Sequence, residues 1–113
     1  TYICMTEPKT NTIRMIRHIV MWKFRRDLEQ NPLDVAREMK ERLESLRGKI
    51  DGLNSIEVGI NCRESKSSYD AVLTADFASW EALDSYKTNP LHVPISEYCK
   101  SCRKARVDVD YEI

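Results

Sequence analysis

The nine residues 16–24, Ile-Arg-His-Ile-Val-Met-Trp-Lys-Phe, restrict the fold of this chain more than any other segment. They are rich in β-branched and aromatic residues, and apolar side chains occur on both parities: Ile16, Val20, Trp22 and Phe24 on one, Ile19 and Met21 on the other. Successive side chains of a strand point to opposite faces, so this segment reads as a strand covered on both sides for much of its length. A chain of 113 residues builds one domain around one core, burying roughly two thirds of its unfolded surface. One layer of helices covers one face of a sheet. The other face needs a further cover, and a second copy of the chain is the simplest.

The apolar period then changes in a readable order. Residues 1–14 are polar, contain Pro8 and show no sustained period, so a tail or upstream extension is expected there, followed by the domain over 15–113. Asn31-Pro32 is a helix entry, a capping side chain followed by proline at the first helical position. Leu33, Ala36, Met39, Leu43 and Leu46 give an amphipathic helix to about residue 47, which Gly48 stops. Ile56, Val58, Ile60 and Cys62 alternate as a second strand. After a polar loop, Tyr69, Ala71, Leu73, Ala75 and Phe77 alternate as a third, antiparallel to the second. Ser79 caps a short helix expected to bury Trp80, Leu83 and Tyr86, and Asn89-Pro90 breaks it. A further helix is expected over residues 92–104. Last, Val107, Val109, Tyr111 and Ile113 alternate with Arg106, Asp108, Asp110 and Glu112. Strand, helix, strand, strand, helices, strand is the split β-α-β order of an α+β, ferredoxin-like fold: a four-stranded antiparallel sheet with helices on one face.

Composition excludes several functions. Eighteen basic and eighteen acidic residues cancel, and no basic stripe with interleaved aromatics occurs, which disfavours nucleic acid or an anionic membrane as partner. No apolar run has the length of a membrane span, and the first residues lack the order of a secretory signal, so a cytoplasmic protein is expected. Cys99 and Cys102 have redox-motif spacing, but they fall late in a helix, where the dipole disfavours thiolate. Cys4 and Cys62 add no second close pair for zinc. Reduced thiols, one of the Cys99–Cys102 pair facing the core, are the expectation. No glycine-rich phosphate loop, nucleophile elbow or metal-spaced cluster is present, so neither cofactor nor metal is expected.

The candidate chemistry lies at the helix break. Tyr86 and His92 stand six residues apart across Asn89-Pro90. As an acid/base pair, His92 would take a proton α to a carbonyl while Tyr86 bonds the carbonyl oxygen. The alternative is that His92 caps the new helix and bonds a backbone carbonyl, with Tyr86 packing in the core. His18 shares the parity of Val20, Trp22 and Phe24; if that parity faces the helices, His18 lines the same cavity, or it is a satisfied core histidine. Trp22, Trp80 and Phe24 offer an aromatic wall for a small apolar or aromatic ligand, with Leu73 in the same lining, though such residues also serve as plain core. Asp110 could orient an imidazole. If Val109 and Tyr111 face the helices, however, it points away, towards a partner subunit or water.

Five segments carry a family resemblance: Met-Ile-Arg-His-Ile-Val-Met-Trp-Lys-Phe at 15–24, Asp-Gly-Leu at 51–53 with Ile-Glu-Val-Gly at 56–59, Tyr-Asp-Ala at 69–71, Tyr-Lys-Thr-Asn-Pro-Leu-His-Val at 86–93, and Val-Asp-Tyr at 109–111. Together, and in this order, they resemble the stress-responsive dimeric A/B barrel (Dabb) family over residues 15–113. The resemblance implies a homodimer in which two ferredoxin-like sheets close into one barrel with helices outside. It also implies similarity to plant polyketide cyclases of the olivetolic acid type, whose pocket tyrosine and histidine match Tyr86 and His92. Their first-strand histidine matches His18, and their aspartate near the C-terminus matches Asp110. A further pocket histidine of those enzymes falls at Ala71 here. The resemblance thus implies cofactor-independent cyclase, isomerase or lyase chemistry; the other reading is a non-catalytic, stress-related assembly.

Overall fold

The computed structural model describes residues 14–113. The tail expected over residues 1–14 therefore lies, Arg14 apart, outside the described residues, as does Cys4. Seven elements follow in order: β1 (Ile16–Phe24), α1 (Pro32–Glu44), β2 (Leu53–Ile60), β3 (Ala71–Phe77), α2 (Trp80–Thr88), α3 (Val93–Cys102) and β4 (Arg103–Glu112). The strands form one sheet in the order β2-β3-β1-β4, every neighbouring pair antiparallel. This is the ferredoxin-like α+β fold. No helix among the described residues is long and apolar enough to cross a membrane.

The helices start where the sequence places capping side chains. Asn31 Oδ1 accepts from the Asp34 amide at 2.8 Å, and Ser79 Oγ accepts from the Ala82 amide at 3.1 Å. Helix α1 ends at Glu44, one turn before the expected stop, because the chain tightens there: the Leu46 amide bonds the Leu43 carbonyl three residues back. Its buried stripe is Val35, Ala36, Met39 and Leu43. Leu33, expected in that stripe, is 45% exposed, since it sits a turn early on the helix flank.

Trp80 likewise stays out of the core. It occupies the first position of α2, off the stripe made by Leu83 and Tyr86, and is 43% exposed. Gly52 sets how closely α2 can lie against the start of β2. Its φ of +83° suits glycine, and a Cβ there would meet the Ala82 Cβ at 2.5 Å. Helix α3 stops at Cys102 and runs straight into β4, two residues short of the expected end. Both Cys99 and Cys102 are buried and unbridged, rather than one of them.

Register decides which side of each strand meets the helices. In β1, His18, Val20, Trp22 and Phe24 are buried beneath them. In β4, His18 pairs with Asp110 and Ile19 with Val109. Asp110 therefore shares the helix-covered face, and Val107, Val109 and Tyr111 lie on the open face. This reverses the orientation considered from sequence, in which Val109 and Tyr111 would face the helices. Alternation tells which side chains lie together but not which face is the dry one.

Candidate active site

A cavity of about 340 Å³ lies between the sheet and helices α2 and α3. Its floor is apolar: Val20 and Trp22 from β1, Leu73 from β3, Met39 and Leu43 from α1. Its polar lining includes His18, Tyr86 and His92. Helix α2 presents Tyr86 from its last turn, the Asn89-Pro90 break reverses the chain, and His92 returns at the N-cap position of α3. The break is held by backbone bonds: the amides of His92 and Val93 both bond the Asn89 carbonyl, at 2.9 and 3.0 Å. This turn is why two residues six apart end with ring centroids 4.1 Å apart.

The pair packs ring on ring, with planes inclined by 37°, so the hydroxyl and the imidazole are not spent on one another. Tyr86 is 1% exposed, and its hydroxyl has no hydrogen-bond partner among the described residues. A buried hydroxyl without a partner is costly, and native structures hold few of them. Burial pushes the phenol well above its ordinary value, while the nearby Arg106 charge opposes this. The phenol therefore stays protonated and is a donor.

His92 is half-buried, and its Nδ1 lies 3.4 Å from the Lys87 carbonyl. A carbonyl only accepts, so Nδ1 donates and Nε2 keeps its lone pair. His92 makes no side-chain cap bond, although the carbonyl contact considered from sequence is there. Burial lowers its pKa, the Lys87 carbonyl works against that, and the charges of His18 and Arg106 add to the lowering.

His18 is buried behind this pair, its ring 6.5 Å from that of Tyr86 and 6.2 Å from that of Phe77. Its Nδ1 bonds Asp110 Oδ1 at 2.5 Å. A carboxylate accepts, so Nδ1 carries the proton and the ring is fixed in orientation. Asp110 thus stands behind His18 rather than in the cavity wall, and it orients an imidazole although its parity suggested otherwise. Trp22 and Leu73 line the cavity. Phe24 does not: it is fully buried and stacks on Trp22 at 6.5 Å.

Sequence reading passed over four cations on this wall: Lys87, Lys100, Arg103 and Arg106. Their signal was faint, since each sits on a separate turn or strand position and only the tertiary fold collects them. Cys99 lines the cavity too, with its thiol pushed up to about 11 by burial, so it is a poor nucleophile. Among the described residues, no group of three or more His, Cys, Asp or Glu is placed to hold a metal ion.

A one-sided helical layer over an antiparallel sheet, with a cavity between them, defines a small ferredoxin-like α+β domain. More particularly, the chain belongs to the stress responsive A/B barrel domain (Dabb) family, whose sequence pattern it matches over residues 16–113. Solved structures agree. A dimeric protein of unknown function with a ferredoxin-like fold from Bacteroides fragilis is 32% identical, with a TM-score of 0.78, covering 88% of this chain and 96% of its own. A Dabb family protein from Mesorhizobium loti is 19% identical, with a TM-score of 0.67, covering 87% and 95%. The hydroxynitrile lyase of Passiflora edulis shares the fold at 14% identity and a TM-score of 0.73, covering 90% and 95%. No curated protein matches the chain in sequence.

Proposed function

We propose that this chain is a homodimeric small-molecule enzyme that performs cofactor-independent acid/base chemistry, of the cyclase, isomerase or lyase kind, with Tyr86 and His92 as the reacting pair. The observation that carries this reading is the Tyr86 hydroxyl, fully buried beside a cavity and bonded to no described residue. Folding tolerates such a group at a cost of about 1–3 kcal/mol. A ligand oxygen in the cavity would give it a partner.

The chemistry follows from the protonation states. Neutral His92 removes a proton from carbon α to a carbonyl, through the Nε2 lone pair left free by the Nδ1 bond to Lys87. The electron pair of the broken C–H bond moves onto the carbonyl oxygen, giving an enolate. Protonated Tyr86 donates a hydrogen bond to that oxygen, in the field of the Arg106 guanidinium. The enolate then attacks internally, takes the proton back at another position, or expels a leaving group. His18, held by Asp110, supports the back of the Tyr86 wall.

The homodimer rests on the open sheet face, where Met21, Val107, Val109 and Tyr111 are each at least 40% exposed, and on the dimeric state of the Bacteroides relative. The same face favours the second reading, a non-catalytic assembly whose role is its stable interface. Ligand-induced thermal stabilisation separates the two. A panel of small phenolic and carbonyl compounds is expected to raise the melting temperature of the wild type, less so that of His92→Ala. No shift with any compound, in a well-folded dimer, would decide for the assembly.

A further inference from the structure

We infer that the cavity takes an amphipathic anion, a small aliphatic or aromatic body with one carboxylate held by Lys87 and Arg103. This rests on the reading of the cavity as a ligand site and adds the charge class of its occupant. Four cationic side chains face the cavity against a single carboxylate, Asp108. Two are neutralised within the chain: Lys100 lies 3.4 Å from Glu97, and Arg106 pairs with Asp108. Lys87 and Arg103 make no ion pair among the described residues.

The chain is neutral as a whole, with eighteen basic and eighteen acidic residues, so this local excess is not a reflection of bulk charge. It sits above an apolar floor, and low-dielectric walls concentrate such a field. Lys87 is exposed and Arg103 half-buried, which places them at the mouth, where a charged head group keeps part of its hydration. Both line the cavity, and an ammonium and a guanidinium fork each suit a carboxylate. The volume of about 340 Å³ lies near the lower end of small-molecule sites, roughly 300–1,000 Å³. The unpartnered Tyr86 hydroxyl, on the same lining, independently calls for a ligand atom at the inner end.

Matched acid and amide pairs test the charge class: 2-naphthoate against 2-naphthamide, and octanoate against octanamide, titrated calorimetrically into the full chain. At least one acid is expected to bind roughly tenfold tighter than its amide at low ionic strength, a difference of about 1.4 kcal/mol. The gap should narrow in high salt. Lys87→Gln with Arg103→Gln should abolish the gap while leaving amide affinity in place. Lys87→Gln alone, at an exposed site, should halve the gap on a logarithmic scale and serves if the double variant does not fold. Equal binding of acid and amide, or a preference that survives both substitutions, overturns the charge assignment and leaves the ligand cavity standing. Binding by neither member of either pair overturns both readings.

Discussion

The two faces of the sheet carry similar apolar side chains and meet opposite environments. On the helix-covered face, His18, Val20, Trp22 and Phe24 of β1 are each no more than 4% exposed. On the open face, Met21, Val107 and Tyr111 stay about two-fifths exposed, and Val109 is 52% exposed. Strand β4 sharpens the contrast by turning Arg106, Asp108 and Asp110 towards the helix side and its valines outward. For a lone subunit this arrangement is inverted with respect to water. It becomes reasonable when the open face is covered by a second copy, which leaves the helix side of β4 as the wet edge where a polar cavity opens. On the function proposed above, packing and chemistry are divided between the faces: one would close the dimer, while the other holds the cavity.

The largest effect expected is on the filled part of the helix-covered face. Phe24→Ala removes a fully buried ring stacked on Trp22 and should cost about 3–5 kcal/mol in denaturant unfolding. A cost below about 1 kcal/mol would mean that this face is as loosely held as the other.

The open face should respond through assembly rather than folding. Val109→Lys places a charge in each half of a two-fold interface. We expect a dissociation constant raised by roughly a hundredfold, an effect of about 2–3 kcal/mol per dimer, with an unchanged far-ultraviolet spectrum. Sedimentation velocity reads the result. A wild-type chain that sediments as a monomer over a wide concentration range would remove the contrast between the faces altogether.

Much of this was legible in the sequence because each element announces its period. Residues 16–24 showed a strand with apolar side chains on both faces, the Asn31 and Ser79 caps showed where helices begin, and Asn89-Pro90 showed the break that joins Tyr86 to His92. What stayed hidden has physical reasons. A period of two cannot say which face water meets, so the side of Asp110 was undetermined until β1–β4 pairing set it beside His18, ninety-two residues away. Hydrophobicity overstated burial at Leu33 and Trp80, which lie at helix starts where the first turn has not reached the core. The cationic lining was invisible because Lys87, Lys100, Arg103 and Arg106 come from three elements that only the tertiary fold assembles.

Within the helix-covered face, Tyr86→Phe compares packing with function at one atom. The ring stays and an unbonded buried hydroxyl goes, so stability should hold or rise by up to about 1 kcal/mol. Ligand affinity or turnover should fall about tenfold. A loss of stability beyond about 1 kcal/mol would show that the hydroxyl has a partner within the protein.

The smallest effect expected is a pH dependence confined to the cavity side. His92 is held below its ordinary value of 6.5, first by burial, with His18 and Arg106 adding to it and the Lys87 carbonyl opposing. Between that depressed value and 6.5 the unfolded chain binds more protons than the native one, so stability rises with pH through this window and is complete above it. The carboxylates act elsewhere on the scale: Asp76, held by the two-pronged Arg17 pair on the open face, sits below its ordinary 3.8 and loses its contribution only in stronger acid. His92→Gln should therefore flatten the stability profile just below pH 6.5 and leave the acid limb intact, while Asp76→Asn does the reverse. If His92 is the base, kcat/KM rises through the same depressed midpoint and then levels. A profile that His92→Gln does not alter would assign the titration to another group and take the base from the proposed pair.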